Sequence, residues 1–170
     1  MSKILLLLAF SLASVSVLAE TIGFRSGEVL AAEVTSRAPR VAHLAEADKA
    51  ESPMYALVTV KLHPGREIST EDYSLSALGG LYRCVAIREE NGAFDAEVWH
   101  RSPASPKKKY GLLFILQIPV SQKYDNAKFD LVCNAPGKWN RASLPVVDRH
   151  GQDFTLATSI PNTGKFPAAK

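Results

Sequence analysis

Two polar clusters in the chain carry residue types suited to binding. Lys107, Lys108 and Lys109 stand in a row after Ser102-Pro103-Ala104-Ser105-Pro106, a composition that reads as loop. Lys138, Trp139 and Arg141 follow Pro136-Gly137, a turn-forming pair. A row of ammonium groups attracts anionic polymers. A tryptophan between cations offers a stacking face with positive charge on both sides, the make-up of a binding hot spot. Each cluster also has a structural reading. Lysines beside an apolar strand guard it against edge pairing, and a tryptophan in a turn can fold back over the end of a sheet.

Catalytic and metal-binding patterns are sparse. Asp148-Arg149-His150-Gly151-Gln152-Asp153 is the densest charged stretch, and Ser143, His150 and Asp153 supply the residue types of a hydrolase. No Gly-x-Ser-x-Gly elbow accompanies them, and no phosphate loop or dinucleotide fingerprint occurs. His43, His63, His100 and His150 lack metal-ligand spacing, and Asp125, Asn126 and Asp130 lack the alternating oxygens of a calcium loop. No metal and no cofactor is expected. Trp99, Trp139, Tyr82 and Tyr110 are candidates for stacking on a sugar ring, and of these Trp99, in mid-strand, reads as core.

The two cysteines, Cys84 and Cys133, carry no Cys-x-x-Cys redox spacing. Their chemistry depends on compartment, and the amino terminus supplies one. Lys3 precedes an apolar run from Ile4 to Val17, and Val17-Leu18-Ala19 offers small residues for cleavage before Glu20. Residues 1–19 therefore read as a secretory signal peptide, and residues 20–170 as a single domain with a loosely ordered carboxy-terminal tail. The apolar run is short of the roughly 20 residues a spanning helix needs, so the mature chain is expected to hold no membrane span. Export to an oxidising compartment predicts one disulfide between Cys84 and Cys133, with two buried free thiols as the alternative. A bridge over so long a loop would stabilise by roughly 3–4 kcal/mol.

The elements that position these residues read as strands. Tyr55 to Leu62 is rich in β-branched residues with Val58, Val60 and Leu62 on one face, and His63-Pro64-Gly65 ends it. Tyr110 to Val120 is nearly continuous in apolar residues and reads as a central strand. Further strands are expected at Gly27 to Thr35, Tyr82 to Ile87, Phe94 to His100, Phe129 to Cys133, Ser143 to Val147 and Phe154 to Ala157, with Asn91-Gly92 as a hairpin turn. Only residues 41–51 favour a short helical insert, with a solvated loop as the alternative. The chain has 170 residues, 46% of them hydrophobic, with 10 Gly, 10 Pro and a net charge of +3. These values fit one globular domain and are too balanced to indicate a nucleic-acid partner. Short strands split by Gly, Pro and Asn turns predict an all-β, immunoglobulin-like antiparallel β-sandwich.

A family resemblance runs through these strands. Ala56-Leu57-Val58-Thr59-Val60-Lys61, then Ile68-Ser69, Asp72-Tyr73-Ser74-Leu75 and Gly80-Leu81-Tyr82, then Tyr110 to Pro119 and Phe129-Asp130-Leu131, resemble the telokin-like, immunoglobulin-fold extracellular domain of bacterial secreted proteins. The resemblance spans about residues 55–133. It implies an extracytoplasmic sandwich and brings no catalytic residues. The chain departs from it in the Ala-rich stretch, the cysteine pair and the carboxy-terminal extension. Cys84, Trp99 and Cys133 also follow the Cys-Trp-Cys order of immunoglobulin domains, with Leu131 where a tyrosine would stand.

Taken together, the residues predict a periplasmic or secreted, non-catalytic binding module of the bacterial cell envelope. Its partner would be a protein or an envelope polymer, met by Lys107, Lys108, Lys109, Lys138, Trp139 and Arg141. The competing expectations are a small periplasmic hydrolase using His150 with Asp148 or Asp153, and a structural subunit of an envelope assembly.

Overall fold

Strand β-propensity and two-residue alternation produce almost all of the regular structure. A computed structural model describes residues 19–45, 53–117 and 127–161. Its strands are β1 (Ala19–Phe24), β2 (Gly27–Thr35), β3 (Val41–Ala42), β4 (Met54–Leu62), β5 (Glu67–Ile68), β6 (Tyr73–Ala77), β7 (Gly80–Glu89), β8 (Phe94–Asp95), β9 (Ser102–Pro103), β10 (Lys109–Leu116), β11 (Phe129–Cys133), β12 (Arg141–Ser143), β13 (Val146–His150), β14 (Asp153–Leu156) and β15 (Ser159–Pro161). Single 3-10 turns cover Thr70–Asp72 and Lys138–Asn140. The fold is an all-β, antiparallel sandwich; the pairing of β3 with β8 is parallel.

The strand order β12-β11-β6-β7-β10-β4-β2-β1-β15 describes one sheet that folds over on itself. The fold-over lies in β7. Its first half, Gly80 to Arg83, pairs with β6, and its second half, from Cys84 to Glu89, pairs with β10. The register slips by one residue between Leu113 and Phe114, where the strand changes layers. A bulge at such a corner bends the strand and lets it serve two layers.

Alternation then fills the space between the layers. Ala56, Val58, Val60 and Leu62 of β4 face inward beside Tyr110, Leu112, Phe114 and Leu116 of β10. Leu75 of β6 and Phe129 and Leu131 of β11 come from the other layer. Aromatic pairs stitch the layers: Phe129 lies 5.4 Å from Phe154 between ring centres, and Phe24 meets Tyr73 edge-on at 6.3 Å. The outer face of β10 is covered as well. Leu113 packs with Val85, Ala86 and Phe94, flanked by Val41 and Leu44. Burial on both faces explains why β10 reads as nearly continuous apolar sequence.

Two expectations need correction, and the cysteines take the second of the two arrangements expected for them. Residues 41–45 are not helical: Val41–Ala42 forms β3, because its partner in the outer cluster is a strand, β8; residues 46–51 lie outside the described residues. The strand expected from Phe94 to His100 stops at Asp95. There the Asp95 carboxylate accepts from the backbone N–H groups of Glu97 and Val98 at 2.8 and 3.0 Å, a local turn that competes with the ladder. Cys84 and Cys133 are both buried and unbonded. They lie on different strands with β6 between: Cys133 on β11 pairs with Tyr73 of β6, and Cys84 on β7 pairs with Phe114 of β10. Of the expected signal peptide, residues 1–19, all but Ala19 lie outside the described residues, as do residues 162–170 of the tail. Among the described residues, no helix is long and apolar enough to cross a membrane.

A strap crosses the outer face from β2 to β3 and is pinned at both ends by aspartates. Asp153 accepts from the Ser36 backbone N–H at 2.7 Å, the Ser36 hydroxyl at 3.0 Å and the Thr35 hydroxyl at 3.0 Å. At the far end His43 Nδ1 lies 3.2 Å from Asp95. The donated bonds hold both carboxyls below their usual range, led by the Ser36 backbone N–H for Asp153 and the Glu97 backbone N–H for Asp95. A lowered folded pKa means that these anchors act fully above the ordinary carboxylate pKa and are lost as pH falls through the lowered value. The amides of Ser36 and Glu97 are therefore expected to keep their protection from neutral pH to about 5 and to lose it below the usual aspartate range. Hydrogen exchange followed by NMR across that range checks it; loss of protection already near neutrality would contradict the anchoring.

Candidate functional site

The curled sheet nearly meets itself where β12 approaches β1, and Trp139 sits on that seam. The seam is held by hydrogen bonds from one residue: the Arg25 N–H donates to the Trp139 carbonyl at 2.6 Å, and Arg25 Nη1 donates to the Pro136 carbonyl at 3.1 Å. Gly137 enters the 3-10 turn with a φ of 132°, a conformation that side chains with a Cβ rarely adopt. The turn that follows leaves the Trp139 side chain 78% exposed. So large an apolar surface is seldom left in water without a partner.

Beneath the turn lies an open cleft of about 460 Å³, lined by Arg25, Glu28, His63, Trp139 and Asn140 among others. Asn140 is only 4% exposed, yet neither its side-chain oxygen nor its nitrogen has a hydrogen-bond partner. A buried amide without partners carries a desolvation cost of about 1–3 kcal/mol. The cleft thus combines an aromatic face, a guanidinium, an imidazole, a carboxylate and an amide with unfilled bonding capacity.

The predicted binding residues divide between two places. Trp139 lies in the cleft. Arg141, at the start of β12, points its Nη1 to within 3.9 Å of Asp130 and does not line the cleft. The Lys138 backbone forms the turn, while its side chain lies outside the described residues. Lys107, Lys108 and Lys109 form the turn into β10 and do not line the cleft either. Lys108 is ion-paired with Glu89, whose carboxylate raises the ammonium pKa. Lys109 pairs across the ladder with Lys61, which pairs in turn with Glu28 of the cleft. The lysine row is therefore two strands, about 10 Å, from the cleft wall.

The hydrolase residues are engaged separately. The Ser143 hydroxyl donates to Asp130 at 2.7 Å, Asp153 anchors the strap, and His150 Nε2 lies 3.0 Å from Asp148 with both side chains largely exposed. Among the described residues no group of three His, Cys, Asp or Glu side chains is placed to hold a metal; Asp125 and Asn126 fall outside them. Trp99, half-buried and beyond the end of β8, packs edge-on at 5.8 Å against the buried Tyr110 and so meets the core without the strand expected around it.

Sequence reasoning missed Arg25, Glu28, His63 and Asn140. Arg25 sits in a two-residue turn after a strand, β1, that begins where cleavage is expected, and His63 reads only as part of a strand terminator. In comparisons with known proteins, no family model, no curated protein and no solved structure matches the chain.

Proposed function

We propose that this protein is a binding module of the bacterial cell envelope, periplasmic or secreted, and that the cleft under Trp139 takes a sugar ring of an envelope polymer. The resemblance of residues 55–133 to telokin-like extracellular domains supports the setting. The observation that carries the reading is the pairing of an exposed Trp139 with the buried, unpartnered Asn140 in one cleft. Sugar rings present a C–H face that stacks on indole, and hydroxyls that satisfy an amide. Arg25 adds a donor suited to an acidic substituent.

A panel of envelope glycans tested by calorimetry examines the reading. Trp139→Ala is expected to weaken binding about 30-fold, the size of a hot-spot loss near 2 kcal/mol. Thermal stability should stay unchanged, because the ring buries little surface in the fold. Equal affinity of the variant for a bound glycan, or no binding across the panel, would overturn the assignment.

A further inference from the structure

The geometry points to a second site, for a phosphate monoester, in the groove between the strap and the β7–β8 turn, where Arg37, Arg40 and Arg88 line one open space of about 530 Å³. It is built from other residues than the Trp139 cleft and does not depend on that reading. Asn91, Gly92 and Phe94 complete the groove, and no carboxylate lines it. Among the described residues none of the three arginines has an acidic partner. Of the nearby acids, Asp153 is engaged with Ser36 and Thr35, Asp95 with His43 and two backbone N–H groups, and Glu89 with Lys108, while Glu33 borders a separate hollow that Arg88 also lines.

Arg88 is positioned by contacts other than an ion pair. Its guanidinium lies over the Phe94 ring at 4.7 Å, a cation–π arrangement. Its stem crosses Gly111 on the neighbouring strand, where a Cβ would stand 2.8 Å from Nε and 2.9 Å from Cγ. Glycine there leaves room for the arginine to lie flat on the sheet. The Nε is buried and has no hydrogen-bond partner.

Arg37 and Arg40 face the same groove from the strap, both exposed, with the strap fixed by its two aspartates. Guanidinium forks match the oxygens of phosphate in bidentate fashion. Three of them around one space suit a dianion better than a singly charged carboxylate. Without an anion, the gathered charges repel one another.

The test is calorimetric titration with inorganic phosphate and glycerol 3-phosphate, alongside sedimentation with vesicles containing phosphatidic acid; acetate serves as the control. Phosphate is expected to bind more tightly than acetate. Arg37→Ala with Arg40→Ala is expected to weaken it about 100-fold, about tenfold for each guanidinium removed from the anion. Both side chains are exposed, so the melting temperature should not move. Arg88→Lys keeps the charge but not the fork and should cost at least about tenfold. Trp139→Ala should leave phosphate binding unchanged, which separates this site from the cleft. Binding of the soluble phosphates alone identifies a soluble ligand; arginine-dependent binding of the vesicles identifies a lipid headgroup. Phosphate binding no tighter than acetate in both arms, or undiminished in the Arg37/Arg40 double variant, overturns the site.

Discussion

Phe114→Ala is expected to lower the unfolding free energy by about 3–5 kcal/mol and the melting temperature by roughly 10–15 °C. The ring is fully buried, and it stands beside the bulge where β7 passes from β6 to β10. Its cross-strand neighbours are small: Ala56 on β4 and Cys84 on β7. Neither has a side chain long enough to enter the space a missing ring would leave. The cost of a large-to-small change grows with the cavity that remains, and this cavity has little with which to collapse. The ring also sits beside the bulge, so the hand-over of β7 between layers would lose its packing support. Urea unfolding of both proteins measures the difference. A drop below about 1 kcal/mol would mean that the two layers do not close over this position.

The same particulars show what the sequence makes legible. β4 and β10 are readable because β-branched and apolar residues recur at the period of a pleated strand, and the fold obeys that period. β11 and β2 are readable to the residue. Phe94 to His100 is misread because strand propensity is a local average, while one aspartate captures two backbone N–H groups and ends the ladder. β3 is misread because Ala and Glu favour helix in isolation, and only the apolar cluster over β10 rewards an extended Val41. Trp139 is visible as a site residue because its neighbours are turn formers and cations. Arg25 and His63 are not, because they meet Trp139 only when the sheet curls and its edges touch; Asn140 adjoins Trp139 in the chain, and only its burial is hidden. No spacing along the chain encodes that closure. The arginine groove is hidden for the same reason: Arg37 and Arg88 are joined by a strap whose anchors, Asp153 and Asp95, are distant in sequence.

The second large effect concerns the sulfur atoms. Two free thiols per chain are expected on unfolding, and essentially none should react in the native protein. Cys133 pairs with Tyr73 across β11 and β6, and Ser74 pairs with Arg83 across β6 and β7. Cys84 follows Arg83 and pairs with Phe114 of β10, so β6 stands between it and Cys133. The two cysteines are then two strand spacings apart, about 9–10 Å, while a disulfide needs Cα atoms within about 7 Å. Closing the bond would require removing β6, with the buried Tyr73, from between its neighbours. Each thiol has its own setting instead: Cys84 Sγ donates to the Ala86 carbonyl at 3.4 Å, and Cys133 Sγ lies 3.9 Å from the Ser26 hydroxyl. Burial pushes the Cys84 thiol up to about 12, so the reactive thiolate is scarce at neutral pH. Burial likewise raises the Tyr73 phenol pKa. Thiol titration with an aromatic disulfide, without prior reduction, separates the two arrangements. Two equivalents in denaturant and almost none without it fit strands ordered β7-β6-β11. No thiol in denaturant would show a bridge, and with it an order in which β6 does not stand between the cysteines.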